Sequence, residues 1–192
     1  MHWTASRQAE ACKYLHAREP KIVHRDLKSE NLLINDQFTA KVSDFGLSRF
    51  IDLDAKMTVC GTPSWVAPEI FREERYTEKV DVYSYAILLW ELITQDKPHY
   101  GFDAIQLPYL VGKEKLRPAV PGDCPATVRR DIGLLCGRSG LRLTLTLRAS
   151  FRFAHYWSSA GMRIQRSGRL SRKSVAWLKS CSRRMAERLT GK

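Results

Sequence analysis

From Val80 to Ile93 the chain reads Val-Asp-Val-Tyr-Ser-Tyr-Ala-Ile-Leu-Leu-Trp-Glu-Leu-Ile. That segment has helical length and is apolar nearly all round, so a helix here must be covered on most sides and not along one stripe. In a chain of 192 residues, the other elements have to wrap around it, which makes it the expected centre of the core. It does not read as a membrane span, because its best apolar run, Tyr85 to Leu89, is soon followed by Glu91 and Gln95, and no apolar run approaches the ~18 to 20 residues that crossing requires. The residues from Met1 to Arg7 do not lead from a basic stretch into an apolar run of about 7 to 15 residues, so a secretory signal is not expected. An intracellular, most simply cytoplasmic, location is the expectation.

Ala5, Ala9, Cys12 and Leu15 are spaced as on one face of a helix that ends before Pro20. Leu32-Leu33-Ile34 and Ala40-Lys41-Val42 are short β-rich runs joined by Asn35-Asp36-Gln37, which predicts a hairpin. A helix is expected over Asp103 to Gly112, where Pro108 would cost ~3 kcal/mol if it were internal. Leu141 to Phe153 alternates strictly between apolar and polar residues, a strand signal, and Val175, Leu178, Cys181, Met185 and Leu189 trace a basic amphipathic helix. The five cysteines form an odd set without a Cys-x-x-Cys pair, so they read as reduced, mostly packing residues.

The net charge of +12 would ordinarily direct attention to nucleic acid or an anionic membrane. Its placement changes that inference. Residues 1–130 hold 18 of the 32 Lys and Arg and 18 of the 20 Asp and Glu, leaving 14 basic and 2 acidic residues in 131–192. The chain therefore divides into a charge-balanced part, 1–130, and a basic Arg/Ser/Leu-rich tail, 131–192, expected to be poorly packed. The tail has Trp157 and Trp177 for stacking or insertion, so binding of nucleic acid or anionic membrane is the alternative function to weigh.

The chemistry-bearing residues lie in His24-Arg25-Asp26-Leu27-Lys28-Ser29-Glu30-Asn31, Asp44-Phe45-Gly46 and Gly61-Thr62-Pro63-Ser64-Trp65-Val66-Ala67-Pro68-Glu69. Phosphoryl transfer from a nucleotide needs metal ions on the phosphates, a cation near the transferred group and a carboxylate to receive the attacking hydroxyl's proton. Asp26 can accept the proton, Lys28 can neutralise the migrating phosphoryl, and Asn31 offers a side-chain oxygen to Mg²⁺. If the hairpin pairs antiparallel, its return strand delivers Asp44 close to Asn31, and two oxygen ligands converge. Each motif alone also reads as a turn or a helix start; the combination, in this order around a hairpin, is what specifies the chemistry.

Over about Arg7 to Pro125 these motifs resemble the large lobe of a eukaryotic protein kinase of the serine/threonine type. Trp65 and the run Ser84 to Leu92 are similar to the tyrosine-kinase-like group. The resemblance implies an α+β, mainly helical fold with a small hairpin, and an ATP-dependent, Mg²⁺-requiring enzyme acting on Ser/Thr hydroxyls of protein substrates. It puts the catalytic base at Asp26, the phosphate-contacting lysine at Lys28 and the metal ligands at Asn31 and Asp44, with Leu33 among the nucleotide-contacting residues. It also assigns Asp81 to anchoring the catalytic loop, His24 and Phe45 to an internal stack, and Thr62 to holding the catalytic loop. Arg25 beside Asp26 resembles kinases whose activation segment is ordered by a phosphate, which implies an upstream activating kinase acting on Thr58. Thr58 reads equally well as a solvated loop residue.

Two departures bear on activity. The Gly-rich strand pair, the strand lysine and its helix-borne glutamate precede the first helix in the family, and only six residues precede Arg7 here. The small lobe is thus absent from this sequence, and impaired transfer or a purely docking, non-catalytic role is expected. After Pro125 the Cys-Trp and Arg-Pro helices of the family give way to Cys136-Gly137-Arg138 and the basic tail, so Glu69 is expected to lack its arginine partner.

Overall fold

A computed structural model describes residues 4–34, 40–51, 59–122, 124 and 126–137. The turn 35–37, Thr58 and everything from 138 on, including the expected strand at 141–153, the amphipathic segment at 175–189, Trp157 and Trp177, lie outside the described residues.

Five α-helices, three single 3₁₀ turns and four short strands are the regular elements of the described residues. The centre is α3, Lys79–Thr94, in which every residue from Val80 to Trp90 is buried, as is Ile93. Burial on all sides follows from its composition, since no face of the helix is polar enough to be left in water. Helix α1, Thr4–His16, buries Ala9, Cys12 and Leu15 and carries Lys13 in its last turn, where a cation suits the helix dipole. It packs on β1, Ile22–Val23, on β3, Ala40–Val42, and on α3.

The hairpin forms as the two runs require. Strand β2, Leu32–Ile34, pairs antiparallel with β3 in the register Leu32↔Val42, Leu33↔Lys41 and Ile34↔Ala40. A second two-stranded sheet joins β1 to β4, Arg49–Phe50, with Ile22↔Phe50 and Val23↔Arg49. Sequence pattern gives no sign of it, because two-residue strands are too short to show a period.

Helix α2, Pro68–Phe71, is a single turn with proline in its first turn. Helix α4, Leu107–Gly112, corrects the expected span of Asp103 to Gly112. It begins four residues later, so Pro108 falls in the first turn, where its missing N–H would have had no intrahelical partner. The expected proline penalty therefore does not arise. Helix α5, Ala126–Gly137, packs against α3 and runs across the charge boundary at 130, with Ile132, Leu135 and Cys136 in the core. Residues 131–137 thus share the packed unit of the charge-balanced part.

Cys12, Cys124 and Cys136 are buried, Cys60 is half-buried, and none of the four is in a disulfide. No helix among the described residues is long and apolar enough to cross a membrane.

Candidate active site

The loop between β1 and β2 carries Asp26, Lys28 and Asn31 across one face of α3. It is held by main-chain bonds to a single carboxylate. Asp81, fully buried in the first turn of α3, accepts the His24 amide on Oδ2 and the Arg25 amide on Oδ1, both at 2.9 Å. His16, from the end of α1, donates Nε2–H to the same Oδ2 at 2.8 Å. Arg25 takes a left-handed backbone at φ 68°, a conformation costly for a residue with a Cβ. The bond to Asp81 holds it there. Its guanidinium reaches the Leu47 carbonyl at 2.6 Å and the Tyr76 hydroxyl at 3.1 Å.

Asp26, on this loop, is buried and surrounded by donors. Oδ1 accepts the Thr62 amide at 2.9 Å and the Thr62 hydroxyl at 2.7 Å. Oδ2 accepts the Asn31 side-chain amide at 3.0 Å and lies 3.3 Å from the Lys28 ammonium. Lys28 Nζ also donates to the Thr62 hydroxyl at 2.7 Å, closing a triangle of Asp26, Lys28 and Thr62. Burial by itself raises the Asp26 carboxyl, but the two Thr62 bonds and Lys28 together outweigh it and hold the group below the usual carboxylate range. Asp26 is an anion at neutral pH.

The orientation of Asn31 follows from its partners. Both groups it meets on Asp26, the backbone carbonyl at 2.8 Å and Oδ2, are acceptors, so its NH₂ faces Asp26 and its amide oxygen faces the other way. The hairpin brings Ser43 back onto this residue, with the Ser43 amide and hydroxyl on the Asn31 carbonyl at 2.9 and 3.1 Å. Asp44 comes next, exposed, in a left-handed conformation at φ 62°, its Oδ1 accepting the Gly46 amide at 3.4 Å. Thus a contact at Asn31 delivers Asp44, eighteen residues from Asp26, to the same edge of the loop.

His24 and Phe45 pack edge to face at 4.9 Å between ring centres. His24 Nε2 donates to the Ser43 carbonyl at 3.0 Å, leaving Nδ1 to accept the Asp26 amide at 3.4 Å. Leu33 is 58% exposed on β2, an open apolar side chain two residues after Asn31.

Glu69 is buried, and burial raises its carboxyl above the ordinary value. Among the described residues no cation lies within ion-pair distance of it. Arg72 turns to Glu74 at 2.7 Å, and Arg117 is engaged by the carbonyls of Val111, Leu116 and Cys136. Both cations act on Glu69 only at longer range.

Several participants carry no motif that marks them as site residues in the sequence. His16 and Tyr76 hold the loop from outside it, and Glu91, in the last turns of α3, accepts the Ser29 hydroxyl on Oε1 and the Trp65 indole N–H on Oε2 at 3.1 Å. Ser84 reaches the Trp65 carbonyl at 2.8 Å. A signal for Ser84 and Glu91 exists: with Asp81 they are polar interruptions that share one face of a mostly apolar helix.

Compared with known proteins, residues 3–116 match the family model described as protein kinase domain. The chain is 50% identical over 117 residues to the Dictyostelium discoideum protein named "Probable serine/threonine-protein kinase drkA", which covers 61% of this chain and 18% of that protein. It is 46% identical over 128 residues to "Probable serine/threonine-protein kinase drkC" of the same organism, covering 65% of this chain and 17% of that protein. The aligned region thus spans less than a fifth of the length of these relatives.

Proposed function

The chain belongs to the protein kinase domain family, and on that premise we propose that it supplies the large-lobe transfer machinery of a serine/threonine protein kinase. The observation that carries this is the closed triangle of Asp26, Lys28 and Thr62 with Asn31 behind it. ATP and Mg²⁺ are the cofactors such a reaction takes. The donor set suits a hard cation: the Asn31 amide oxygen turned away from Asp26, and the exposed Asp44 carboxylate beside it in the hairpin. Bound there, the metal would neutralise phosphate charge. Leu33 offers an apolar face to the nucleotide base.

In this proposal the substrate Ser or Thr oxygen forms a bond to the γ-phosphorus, the bond to the β-phosphate oxygen breaks, and ADP leaves. The hydroxyl proton passes to Asp26. A carboxylate has about four lone-pair sites, and four donors already fill those of Asp26. An incoming hydroxyl must displace one. Lys28, at 3.3 Å the longest of the four, yields most easily, which frees its ammonium to meet the migrating phosphoryl. Thr62 stays to keep the carboxylate charged and aimed.

These 192 residues contain no Gly-rich phosphate loop, so the isolated chain is expected to transfer little. Protein substrates bearing Ser or Thr are the proposed partners. An upstream kinase acting on Thr58 would use Arg25, whose guanidinium lies at the exposed side of the loop. An intracellular location is proposed alongside, suited to four described cysteines that form no disulfide. The basic-tail alternative falls on residues outside those described, apart from 131–137.

The test is a graft of residues 7–125 into the matching segment of drkA, assayed with Mg²⁺, labelled ATP and a Ser/Thr peptide. Transfer is expected, and Asp26→Asn should lower it by about 10²- to 10⁴-fold. A folded graft that transfers nothing where the parent protein does would refute the proposal and leave the docking module as the remaining function.

A further inference from the structure

We propose that Glu91 is a positioning residue: one carboxylate in α3 that sets the separation between the loop carrying Lys28 and the segment carrying Thr62. The inference rests on the transfer reading for its meaning, but its geometry stands apart. Ser29 follows Lys28 directly, and its hydroxyl donates to Glu91 Oε1. Trp65 closes the short turn that starts at Thr62, its amide bonding the Thr62 carbonyl at 2.9 Å, and its indole N–H donates to Glu91 Oε2 at 3.1 Å. The two oxygens of one side chain therefore tie together the segments on either side of the 2.7 Å contact between Lys28 and Thr62.

The chemistry suits a clamp. The ring of Trp65 is buried, so its N–H needs an acceptor, and Glu91 supplies one. Burial raises the Glu91 carboxyl, and the bonds from Ser29 and Trp65 oppose that rise. Its carboxylate has no ion-pair partner among the described residues, so these neutral donors are what it has. Ser84 pins the Trp65 carbonyl from the same helix at 2.8 Å, so that residue is fixed at both ends.

A clamp differs from a packing contact in what can replace it. Glutamine has the same shape, can accept the indole N–H with its oxygen, and can donate its NH₂ to the Ser29 oxygen, which accepts as well as donates. Leucine keeps the apolar contact and loses both bonds. The experiment is amide hydrogen exchange on the full chain, read at Asn31, whose amide bonds the Lys28 carbonyl, and at Thr62, whose amide bonds Asp26. Glu91→Leu is expected to speed exchange at both by about tenfold or more while amides in the middle of α3 stay near their original rates. Glu91→Gln should restore most of that protection.

If Glu91→Leu fails to fold, Trp65→Phe isolates one arm: it keeps an aromatic ring, removes the N–H, and should loosen Thr62 more than Asn31. Unchanged exchange at both sites in a folded variant, or glutamine performing no better than leucine, overturns the clamp. Because the readout needs no turnover, a folded graft that transfers nothing while this chain shows the expected exchange pattern removes the transfer reading and leaves the clamp intact.

Discussion

Replacing Asp81 probes the connection between core and site most directly. Its two oxygens satisfy three donors, the amides of His24 and Arg25 and the His16 ring N–H, in a position with no solvent access. A buried donor left unmatched costs about 1–3 kcal/mol. Asp81→Ala strands three, so the summed loss is about 3–9 kcal/mol, against an ordinary domain stability of about 5–15 kcal/mol. Relaxation of Arg25 from φ 68° offsets part of it. Asp81→Asn keeps one oxygen, which serves two donors at the Oδ2 position, and turns an NH₂ toward the Arg25 amide, a loss of about 1–3 kcal/mol. Urea unfolding followed by tryptophan fluorescence should give a cooperative but weakened transition for the asparagine variant and little cooperative transition for alanine. Hydrogen exchange should show the Arg25 amide losing more protection than that of His24 in the asparagine variant. An alanine variant costing less than about 1 kcal/mol, or no worse than asparagine, would show that Asp81 does not hold this loop.

Gly61 and Glu69 give two further tests. A Cβ on Gly61 would stand 2.6 Å from the Arg25 carbonyl oxygen and 3.0 Å from Val66 Cγ2, at a backbone φ of +101°. Gly61→Ala should therefore lower stability by about 1–3 kcal/mol or more and weaken protection of the Thr62 amide; an unchanged melting temperature contradicts the packing. For Glu69, the folded-state pKa lies above the ordinary value of 4.5, so the folded state binds more protons and stability falls as pH rises through that window. Glu69→Gln should raise the urea midpoint at about pH 7 and change it little at about pH 4, and an equal shift at both would mean the carboxyl's charge is not the cause.

How far the sequence could be followed depended on which physical rule governed each element. Helix α3 and the β2–β3 hairpin were legible because burial on all sides and turn chemistry between β-rich runs are local patterns. Helix α4 starts four residues after the expected Asp103 because the first turn, whose amides have no intrahelical partner, is where Pro108 fits. Strand β4 could not be found at all, since its two residues pair with Ile22 and Val23 through the fold and not through any pattern of their own. Asp26, Lys28, Asn31 and Asp44 were singled out by residue type and order, yet the filling of all four acceptor sites on Asp26 required distances.

The part of the site that α3 holds shares one physical origin. At about 100° per residue, Asp81, Ser84 and Glu91 lie within an arc of about 80° on α3. A polar group in a fully buried helix is costly unless it is bonded, so each of the three must meet a donor or acceptor outside its own helix or fold back on it. They meet the amides of His24 and Arg25, the Trp65 carbonyl, and the Ser29 hydroxyl with the Trp65 indole. The stripe therefore marks where irregular loops, whose own backbone groups lack a ladder, are held against the core. In a helix apolar on every other side, the few polar exceptions on one face show where loops dock. Here those loops carry Asp26, Lys28 and Thr62, so the most buried helix of the protein is also the base on which its chemistry is positioned.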